Sequence, residues 1–413
     1  MEQLSIKFYN YSPDFSNENL VKRSTNLFKD IKTKNVVGFE NFGFHDLAMN
    51  FSYENYEELE KFSENIHSKE IKKVIIFCSS KDFANFNSAN QFLFKNDLLK
   101  NQKIQYLFFV DEEQYNYANL YQSFLELKNL KNIAFLFIGN TSYSQTFLNL
   151  IKLIINDFQI NLGYYNALNN CYLISKNKLE KQLNFLDILE ENKLIIPDIL
   201  TNSYSLFSEY NMFLLLLKGA DILGIYEGYQ EGCRNWSYDD ISKNESFQYA
   251  YVKHMIKKYS SFNLLISNNI IMHNTLSLQN SYISQLYSYR KYVSNYAIFP
   301  EDIYTYGQYI LDNNKNLYVT YYSIKNEKFD YRLSDEINHE DGLKKDDNNV
   351  ISNFKFAGDN GVMDVLANIA TVPSCLINLK DNSEYNYGIL ISFIYWSLIY
   401  EAYLDKINPF GVK

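Results

Sequence analysis

The sequence predicts an α/β protein with two doubly wound parallel-sheet domains, each a three-layer α/β/α sandwich. Short, continuous apolar runs rich in β-branched residues recur along the chain, as in strands of a parallel sheet that is covered on both faces. Helical stretches alternate with these runs, as they do in doubly wound folds. The 413 residues, of which 46% are hydrophobic, suffice for two cores. We place the two domains at residues 1–195 and 196–413.

The N-terminal half contains five predicted strands, each an apolar run that ends in small or polar residues. These strands are Lys72–Ser80 (KKVIIFCSS), Ile104–Asp111 (IQYLFFVD), Asn132–Ser142 (NIAFLFIGNTS), Asn170–Ser175 (NCYLIS) and Asn192–Asp198 (NKLIIPD). Helices are predicted between strands, over Phe83–Leu99 and Tyr143–Asn156. This alternation defines the first domain.

The C-terminal half repeats the strand–helix order, which indicates a duplicated domain. Its predicted strands are Phe262–Ser267, Asn316–Ile324 and Pro373–Leu379. Its predicted helices are Leu206–Lys218, Glu245–Lys258, a long helix that runs towards Tyr292, and Tyr387–Asp405. The run Asp330–Asn349 is rich in Asp, Glu, Lys and Asn, and predicts an exposed loop.

The net charge and the glycine count restrict the function. A net charge of −9 and the lack of a basic stripe predict no contact with nucleic acid. Only 14 glycines are present, and glycine is needed where a backbone closely approaches a phosphate. This scarcity argues against a phosphate-cradling enzyme, and no cofactor is predicted.

Cysteine usage and the apolar runs predict a cytoplasmic protein without a membrane span. The four cysteines, Cys78, Cys171, Cys233 and Cys375, are far apart, as expected for buried thiols in a reducing compartment. The start, MEQLSIKFYN, does not have the pattern of a signal peptide. The longest apolar run, Tyr387 to Tyr400, is too short to span a bilayer and predicts a buried helix.

Histidines and paired carboxylates give no strong candidate site. The five histidines, none of them paired at metal-ligand spacing, are His45, His67, His254, His273 and His339. Glu227 and Glu231 are spaced i, i+4, but Gly228 and Gly232 indicate a loop with a solvated surface. We therefore predict no metal site.

Three lysines of the helix over Glu245–Lys258 are expected on its exposed face. They are Lys253, Lys257 and Lys258. We interpret them as solubilising residues, with a partner-binding patch as the alternative.

A polar turn, Thr201-Asn202-Ser203-Tyr204-Ser205, separates a strand from a helix within IPDILTNSYSLFSEYNMFLLLL. Such turns usually hold the working residues of α/β enzymes. This turn contains no glycine, no charge and no histidine. Its position is typical of an active site, whereas its residues are not.

Several short sequence motifs, which occur in the same order, resemble those of phosphoglucose isomerases of the short bacterial type. They are GFHDL (Gly43–Leu47), IPDILTNSYS, KGADI (Lys218–Ile222), FQYAYVK (Phe247–Lys253), IFP (Ile298–Pro300), YGQYI (Tyr306–Ile310) and INPF (Ile407–Phe410). The resemblance implies two sugar-isomerase (SIS-type) domains and a homodimer. It also implies descent from an enzyme that moves a proton between C1 and C2 of a sugar phosphate.

Catalytic groups of that family are replaced at the matching positions. The family's arginine, which stabilises the enediolate, corresponds to Ser203, and its glutamate base corresponds to Tyr289. Its histidine corresponds to Tyr304, and its lysine-bearing helix after Asn-Pro-Phe has no counterpart before Lys413. A tyrosine with a pKa near 10 is a poor base at neutral pH. The resemblance thus predicts a site without catalytic residues.

Part of the family's phosphate-binding hydroxyl set remains. Ser80 matches the loop after the first strand, and Thr141 and Ser142 match the second loop, which lacks the family's lysine. These hydroxyls are candidates for residual ligand binding. Alternatively, Thr141 and Ser142 cap the helix that follows.

Three functions are compatible with these observations. The first is a non-catalytic structural or scaffolding subunit of a multiprotein assembly, such as a motility, cytoskeletal or motor-associated machine, with its aromatic-rich surface in contact with other subunits. The second is a sugar-phosphate sensor, which requires Ser80, Thr141 and Ser142 to converge. The third is a divergent isomerase that uses relocated groups such as Glu227, Glu301 or Asp302.

Overall fold

The structure, a computed structural model, describes residues 3–94, 104–111, 116–127, 132–198, 203–288, 291–327, 330, 332 and 350–411. Its strands are β1 (Leu4–Tyr9), β2 (Lys73–Cys78), β3 (Gln105–Val110), β4 (Ile133–Gly139), β5 (Cys171–Ser175), β6 (Lys193–Ile195), β7 (Phe262–Ser267), β8 (Val293–Ile298), β9 (Leu317–Asn326) and β10 (Ser374–Asp381).

The helices alternate with the strands as the sequence predicts. They are α1 (Glu18–Lys32), α2 (Gly43–Met49), α3 (Tyr53–Ser68), α4 (Ser80–Leu93), α5 (Tyr117–Leu127), α6 (Gln145–Leu162), α7 (Tyr164–Leu168), α8 (Asn177–Gln182), α9 (Glu209–Leu217), α10 (Ile222–Trp236), α11 (Glu245–Ile256), α12 (His273–Tyr287), α13 (Ile303–Asp312), α14 (Ile351–Asp364) and α15 (Glu384–Leu404). The predicted α/β class with two parallel-sheet domains is confirmed.

The chain divides into two compact units, which we name for their place in the sequence. The internal unit comprises Glu40–Asn90 and Phe94–Leu223, and the terminal unit comprises Met1–Phe39, Gln91–Leu93 and Gly224–Lys413. These limits differ from the predicted domains at 1–195 and 196–413. One reason is that β1 pairs with β10, so the start of the chain joins the second sheet.

The internal unit is built on a fully parallel sheet with strand order β3-β2-β4-β5-β6. β2 and β4 are almost wholly buried, which explains their unbroken apolar sequences. Phe77 of β2 stacks on Phe137 of β4 with ring centroids 4.8 Å apart, and Phe147 of α6 packs edge-on against Phe77. The order reverses between β2 and β4, which makes this pair the topological switch point.

The terminal unit is built on a sheet with strand order β1-β10-β9-β7-β8. Four strands are parallel, and β1 is an antiparallel edge strand beside β10. The sequence analysis did not predict β1 or β8, and its long helix towards Tyr292 ends in the structure at Tyr287. The proposed loop Asp330–Asn349 lies outside the described residues, apart from Asp330 and Arg332.

Helix α15 is the buried centre of the terminal unit. It is the one helix among the described residues that is long and apolar enough to cross a membrane, yet 89% of its most apolar window is buried inside the protein. The predicted buried helix at Tyr387 to Tyr400 is therefore confirmed. Its apolar character is explained by contacts on every side.

Glycines allow α10 and α15 to approach closely, which corrects the predicted loop at Gly228 and Gly232. Both residues are helical. An added Cβ at Gly228 would lie 1.9 Å from the Tyr385 carbonyl oxygen, and one at Gly388 would lie 2.0 Å from the Ile225 carbonyl oxygen. Backbone thus packs directly on backbone, and the glycines serve close packing rather than a turn.

We expect Gly388→Ala to lower the free energy of unfolding by about 1–3 kcal/mol or more, because its methyl group would overlap the Ile225 carbonyl. Gly358→Ala in α14 is the matched control. A Cβ there meets no heavy atom within 4 Å, so stability should rise by up to ~1 kcal/mol. Urea unfolding of both variants measures the difference, and an equal effect of the two would contradict the packing role.

Candidate functional site

The switch point of the internal unit brings the predicted phosphate loops to one sheet edge. Ser80 begins α4 directly after β2, and Thr141 and Ser142 follow β4. Because β2 and β4 are adjacent and parallel, both loops lie at the carboxyl edge, where open α/β sheets bind ligands. Thr141 and Ser142 do not cap α6, since its N-cap residue is Ser144.

A buried carboxylate, Asp82, lies between these two loops. Ser79 Oγ donates to Asp82 Oδ2 at 2.7 Å, and Tyr210 Oη donates to Asp82 Oδ1 at 2.6 Å. A Cβ on Gly139 would be only 3.3 Å from Asp82 Oδ2. Burial raises the pKa of Asp82, although the two hydroxyl hydrogen bonds oppose that shift.

A second carboxylate, Asp111 at the end of β3, binds the N-terminus of α6. The Ser144 backbone N–H donates to Asp111 Oδ2 at 2.7 Å, and Ser144 Oγ donates to Asp111 Oδ1 at 2.7 Å. Tyr117 Oη donates to the same Oδ1 atom at 2.8 Å. A helix N-terminus at a switch point is a natural anion site, and here the protein's own carboxylate occupies it.

Of the polar turn noted in the sequence, Thr201 and Asn202 lie outside the described residues, whereas Ser205 is held by hydrogen bonds. Ser203, at the family's arginine position, is buried. Tyr204 has a left-handed backbone with a φ of 60°. Asn85 Nδ2 donates to Ser205 Oγ at 3.2 Å, and Asn211 Nδ2 donates to the Ser205 carbonyl at 3.0 Å. The sequence analysis identified this turn but not Asn85, which contacts it, and not the carboxylates Asp82 and Asp111.

The other predicted site positions lie elsewhere in the chain. Tyr304, at the family's histidine position, is in α13 of the terminal unit and is 95% exposed. Tyr289 and Lys413 lie outside the described residues. Asp302 Oδ2 accepts from the Ile298 backbone N–H at 2.7 Å, which is a local structural role. Glu301 is exposed.

Glu227 and Glu231 form no carboxylate site. Glu227 is exposed on α10, and Glu231 forms an ion pair with Arg234 at 3.2 Å on the same helix. The described residues contain no group of three or more His, Cys, Asp or Glu residues that could hold a metal ion.

All four cysteines are buried, as the sequence predicts. Burial raises the pKa of the Cys171 and Cys233 thiols to about 12. Thiols with such pKa values stay protonated at neutral pH and are poor nucleophiles.

A charge cluster in the terminal unit corrects the predicted exposed lysine face. We define it as Lys253, His254, Lys257, Glu401 and Asp405. Lys253 is buried, with its ammonium 3.0 Å from Glu401 Oε2, and Lys257 Nζ is 2.7 Å from Glu401 Oε1. The distances are those of ion pairs, although the angles are not those of ideal hydrogen bonds. Only Lys258 of the three lysines is exposed.

Asp405 completes this cluster. Its carboxylate contacts Lys257, His254 Nδ1 at 2.5 Å and Tyr287 Oη at 2.6 Å. Burial alone would raise the pKa of Asp405, but the hydrogen bond from His254 and the Lys257 charge together hold it well below its ordinary value. Burial lowers the pKa of Lys253, and the Glu401 charge opposes that shift.

Glu209, at the start of α9, is a further titratable group that the sequence did not indicate. Burial raises the pKa of its carboxyl to about 7, with a smaller contribution from the charge of Glu58. Glu209 Oε2 has no hydrogen-bond partner among the described residues. A buried carboxyl at this pKa is partly protonated at neutral pH.

These features define a class: an α/β protein with two units, each built on a parallel or mainly parallel sheet. No family model matches the chain. The chain is nevertheless a distant homologue of glucose-6-phosphate isomerases. The enzyme of Mycoplasmopsis pulmonis is 24% identical over 424 residues, covering 96% of this chain and 93% of that protein. The enzyme of Mycoplasmopsis synoviae is 22% identical over 418 residues, covering 99% and 94%.

Solved structures show the same fold. A hypothetical protein from Thermus thermophilus matches with a TM-score of 0.79 at 12% identity, covering 98% of this chain and 96% of that one. A glucose-6-phosphate isomerase from Chlamydia trachomatis matches with a TM-score of 0.75 at 9% identity, covering 99% of this chain and 86% of that one. The resemblance predicted from the sequence words is confirmed.

We expect Glu401→Gln to cost about 3–5 kcal/mol in the free energy of unfolding, because it leaves the buried Lys253 ammonium without a counter-charge. Asp239→Asn, which breaks the exposed pair with Lys32, should cost no more than ~1 kcal/mol. Chemical denaturation of both variants tests this, and a small loss for Glu401→Gln would show that Lys253 is solvated after all.

Glu209 makes stability depend on pH in a defined direction. Its folded-state pKa of about 7 exceeds the ordinary value of 4.5, so the folded state is favoured below pH 4.5 and loses stability as pH rises through 7. Glu209→Gln should remove this loss and stabilise the protein above pH 7 by roughly 2–4 kcal/mol. Melting curves from pH 4.5 to 8 measure it, with the exposed Glu57→Gln as a control that leaves the pH dependence intact.

Proposed function

We propose that this chain is a non-catalytic homologue of glucose-6-phosphate isomerase that serves as a structural or scaffolding subunit of a cytoplasmic protein assembly. The observation that carries the proposal is the position of Asp82 and Asp111 at the carboxyl edge of the internal sheet. Asp111 binds the α6 N-terminus, and Asp82 lies against the loop at Gly139. A phosphate dianion at this edge would have to compete with Asp111 for the N–H donor at the start of α6, and the Asp111 carboxylate would repel it.

The replaced positions support the loss of catalysis. Ser203 supplies no positive charge for an enediolate, whereas the family's arginine does. Tyr304 projects into solvent and is no substitute for a histidine that assists ring opening. The Tyr289 position rests on the sequence match alone. Losing these groups together removes most of the catalytic lowering of the activation barrier, since each group typically raises the reaction rate by roughly 10²–10⁴-fold.

We expect the protein partner to contact helix α13 of the terminal unit. Ile303, Tyr304 and Leu311 of α13 are 38%, 95% and 43% exposed, and their spacing brings them to one side of the helix. Val293, in the edge strand β8, is 61% exposed. Exposed apolar and aromatic side chains on one side of a helix, such as those of α13, favour a contact with another protein subunit.

The sugar-phosphate sensor is the second candidate, because Ser80, Thr141 and Ser142 do lie at one sheet edge. It differs from the scaffold in one measurable respect. A sensor gains stability from its ligand, by about 2.7 kcal/mol at a ligand concentration of 100 Kd. A divergent isomerase would in addition turn over its substrate.

We expect glucose 6-phosphate and fructose 6-phosphate to give no melting-temperature shift that depends on the phosphate loops. The test compares the wild-type protein with Ser80→Ala/Thr141→Ala/Ser142→Ala in thermal-shift and coupled isomerase assays. Wild-type stabilisation that this triple variant loses would establish the sensor, and turnover far above background would establish an enzyme.

The scaffold itself is tested by purifying the tagged chain from native cells and measuring subunit stoichiometry. We expect a stoichiometric complex that Ile303→Ser/Tyr304→Ser/Leu311→Ser disrupts. Ile160→Ser/Tyr165→Ser, at exposed positions of the internal unit, is the control and should leave the complex intact. A monomer, or equal effects of both sets of changes, would contradict the proposal.

A further inference from the structure

Helices α1 and α3 have exposed sides of opposite charge, which the proposed function does not use. α1 belongs to the terminal unit and α3 to the internal unit. Each helix buries one side in its own unit, where its apolar residues are collected, and leaves the opposite side in solvent. The two solvent sides are therefore both free to contact another molecule.

The exposed side of α1 is basic. From Glu18 to Lys34 the chain has five basic and two acidic side chains. Lys22 and Lys29 are exposed and lie seven residues apart, which brings them to the same side of the helix. Lys32 is already paired with Asp239. Within the described ranges, neither Lys22 nor Lys29 has a carboxylate at ion-pair distance.

The exposed side of α3 is acidic. The helix Tyr53–Ser68 has five glutamates and one lysine. Glu57 and Glu64 are exposed and, like the two lysines of α1, lie seven residues apart on one side of their helix. No cation lies at ion-pair distance from either carboxylate in the part of the chain that the structure describes. This side therefore has unneutralised negative charge.

The two exposed sides match in spacing as well as in charge. Seven residues of an α-helix rise about 10.5 Å, so the two lysines and the two glutamates are separated by the same distance along their helices. When α1 and α3 are laid antiparallel, Lys29 lies opposite Glu57 and Lys22 lies opposite Glu64. Two ion pairs can then form at once.

The antiparallel alignment also avoids repulsion. Lys32 falls opposite Glu54, and the minority charges, Glu18 and Lys61, fall opposite uncharged residues. The N-terminus of each helix lies beside the C-terminus of the other, which is the favourable arrangement of two helix dipoles. Every copy of the chain has both of these sides, so a second copy always supplies the complement of the first.

We propose that copies of this chain associate head-to-tail, with α1 of one copy against α3 of the next. Such a contact is heterologous, because it joins two different surfaces. Each added copy leaves one α1 and one α3 unoccupied, so the assembly extends or closes into a ring, whereas a two-fold dimer stops at two copies. The proposal depends neither on the loss of catalysis nor on the α13 surface.

The salt dependence of self-association is the first test. Sedimentation velocity of the purified full chain should show assemblies that grow past the dimer with protein concentration at about 0.1 M salt and dissociate at about 1 M. The screening length falls from about 10 Å to about 3 Å over this range, which weakens ion pairs between exposed groups. The net charge of −9 opposes association through the other surfaces.

A charge swap identifies the surfaces. Lys22→Glu/Lys29→Glu makes both helices acidic, and Glu57→Lys/Glu64→Lys makes both basic, so each variant alone should weaken the Kd of self-association at least ~10-fold, or about 1.4 kcal/mol. An equimolar mixture of the two variants restores opposite charges at every contact and should assemble as the wild type does. All four side chains are exposed, so both variants should melt as the wild type does.

Lys315→Glu/Lys325→Glu is the matched control. It reverses the charge of two exposed lysines of the terminal unit that lie outside α1, and it should assemble as the wild type does. The proposal is overturned if the wild type does not associate beyond a dimer at 0.1 M salt, or if the mixture of swapped variants fails to recover association. These outcomes concern the purified chain alone, so they are distinct from the native-complex and sugar-phosphate tests.

Discussion

The burial of α15 is the constraint on which the terminal unit depends. A helix that is apolar on every face needs neighbours on every face, and two of them have sequences adapted to it. α10 approaches through Gly228, where backbone meets backbone. α11 places Lys253 beside Glu401, so that the single carboxylate of the buried α15 run is neutralised. One contact depends on the absence of a side chain and the other on a matched charge.

Two carboxylates also determine the polar contacts at the carboxyl edge of the internal sheet. Asp82 and Asp111 take up the hydroxyl and backbone N–H donors of Ser79 and Ser144 at the edge where the homologous fold would receive a ligand. The donors are satisfied and the helices are capped, so the edge is structurally complete without a bound anion. The hydrogen-bond network at this edge therefore stabilises the fold in its own right.

The sequence predicted the parts of the fold that apolar periodicity encodes. β7 was located to the residue, and the strands of the internal unit to within three residues or fewer at each end. The sequence-based prediction was wrong where the role of a residue depends on a partner that is distant in the sequence. Gly228 alone suggests a turn, but its role is to allow close packing against α15. Lys253 alone suggests a surface residue, but it forms a buried ion pair with Glu401. The phosphate-loop positions came from the resemblance. Asp82 and Asp111 could not be found in this way, because aspartates are common near the ends of helices and strands and nothing nearby in the sequence marks these two as special.

The pairing of β1 with β10 has a consequence for synthesis on the ribosome. Leu4 lies opposite Leu379, so β1 cannot pair until β10, the last of the described strands in the sequence, has been made. At translation rates of about 5–20 residues per second, that delay is roughly 20–75 s. The internal unit has all its own strands well before then. An unpaired strand is an aggregation hazard, and Leu4–Tyr9 remains exposed to it until β10 has been made.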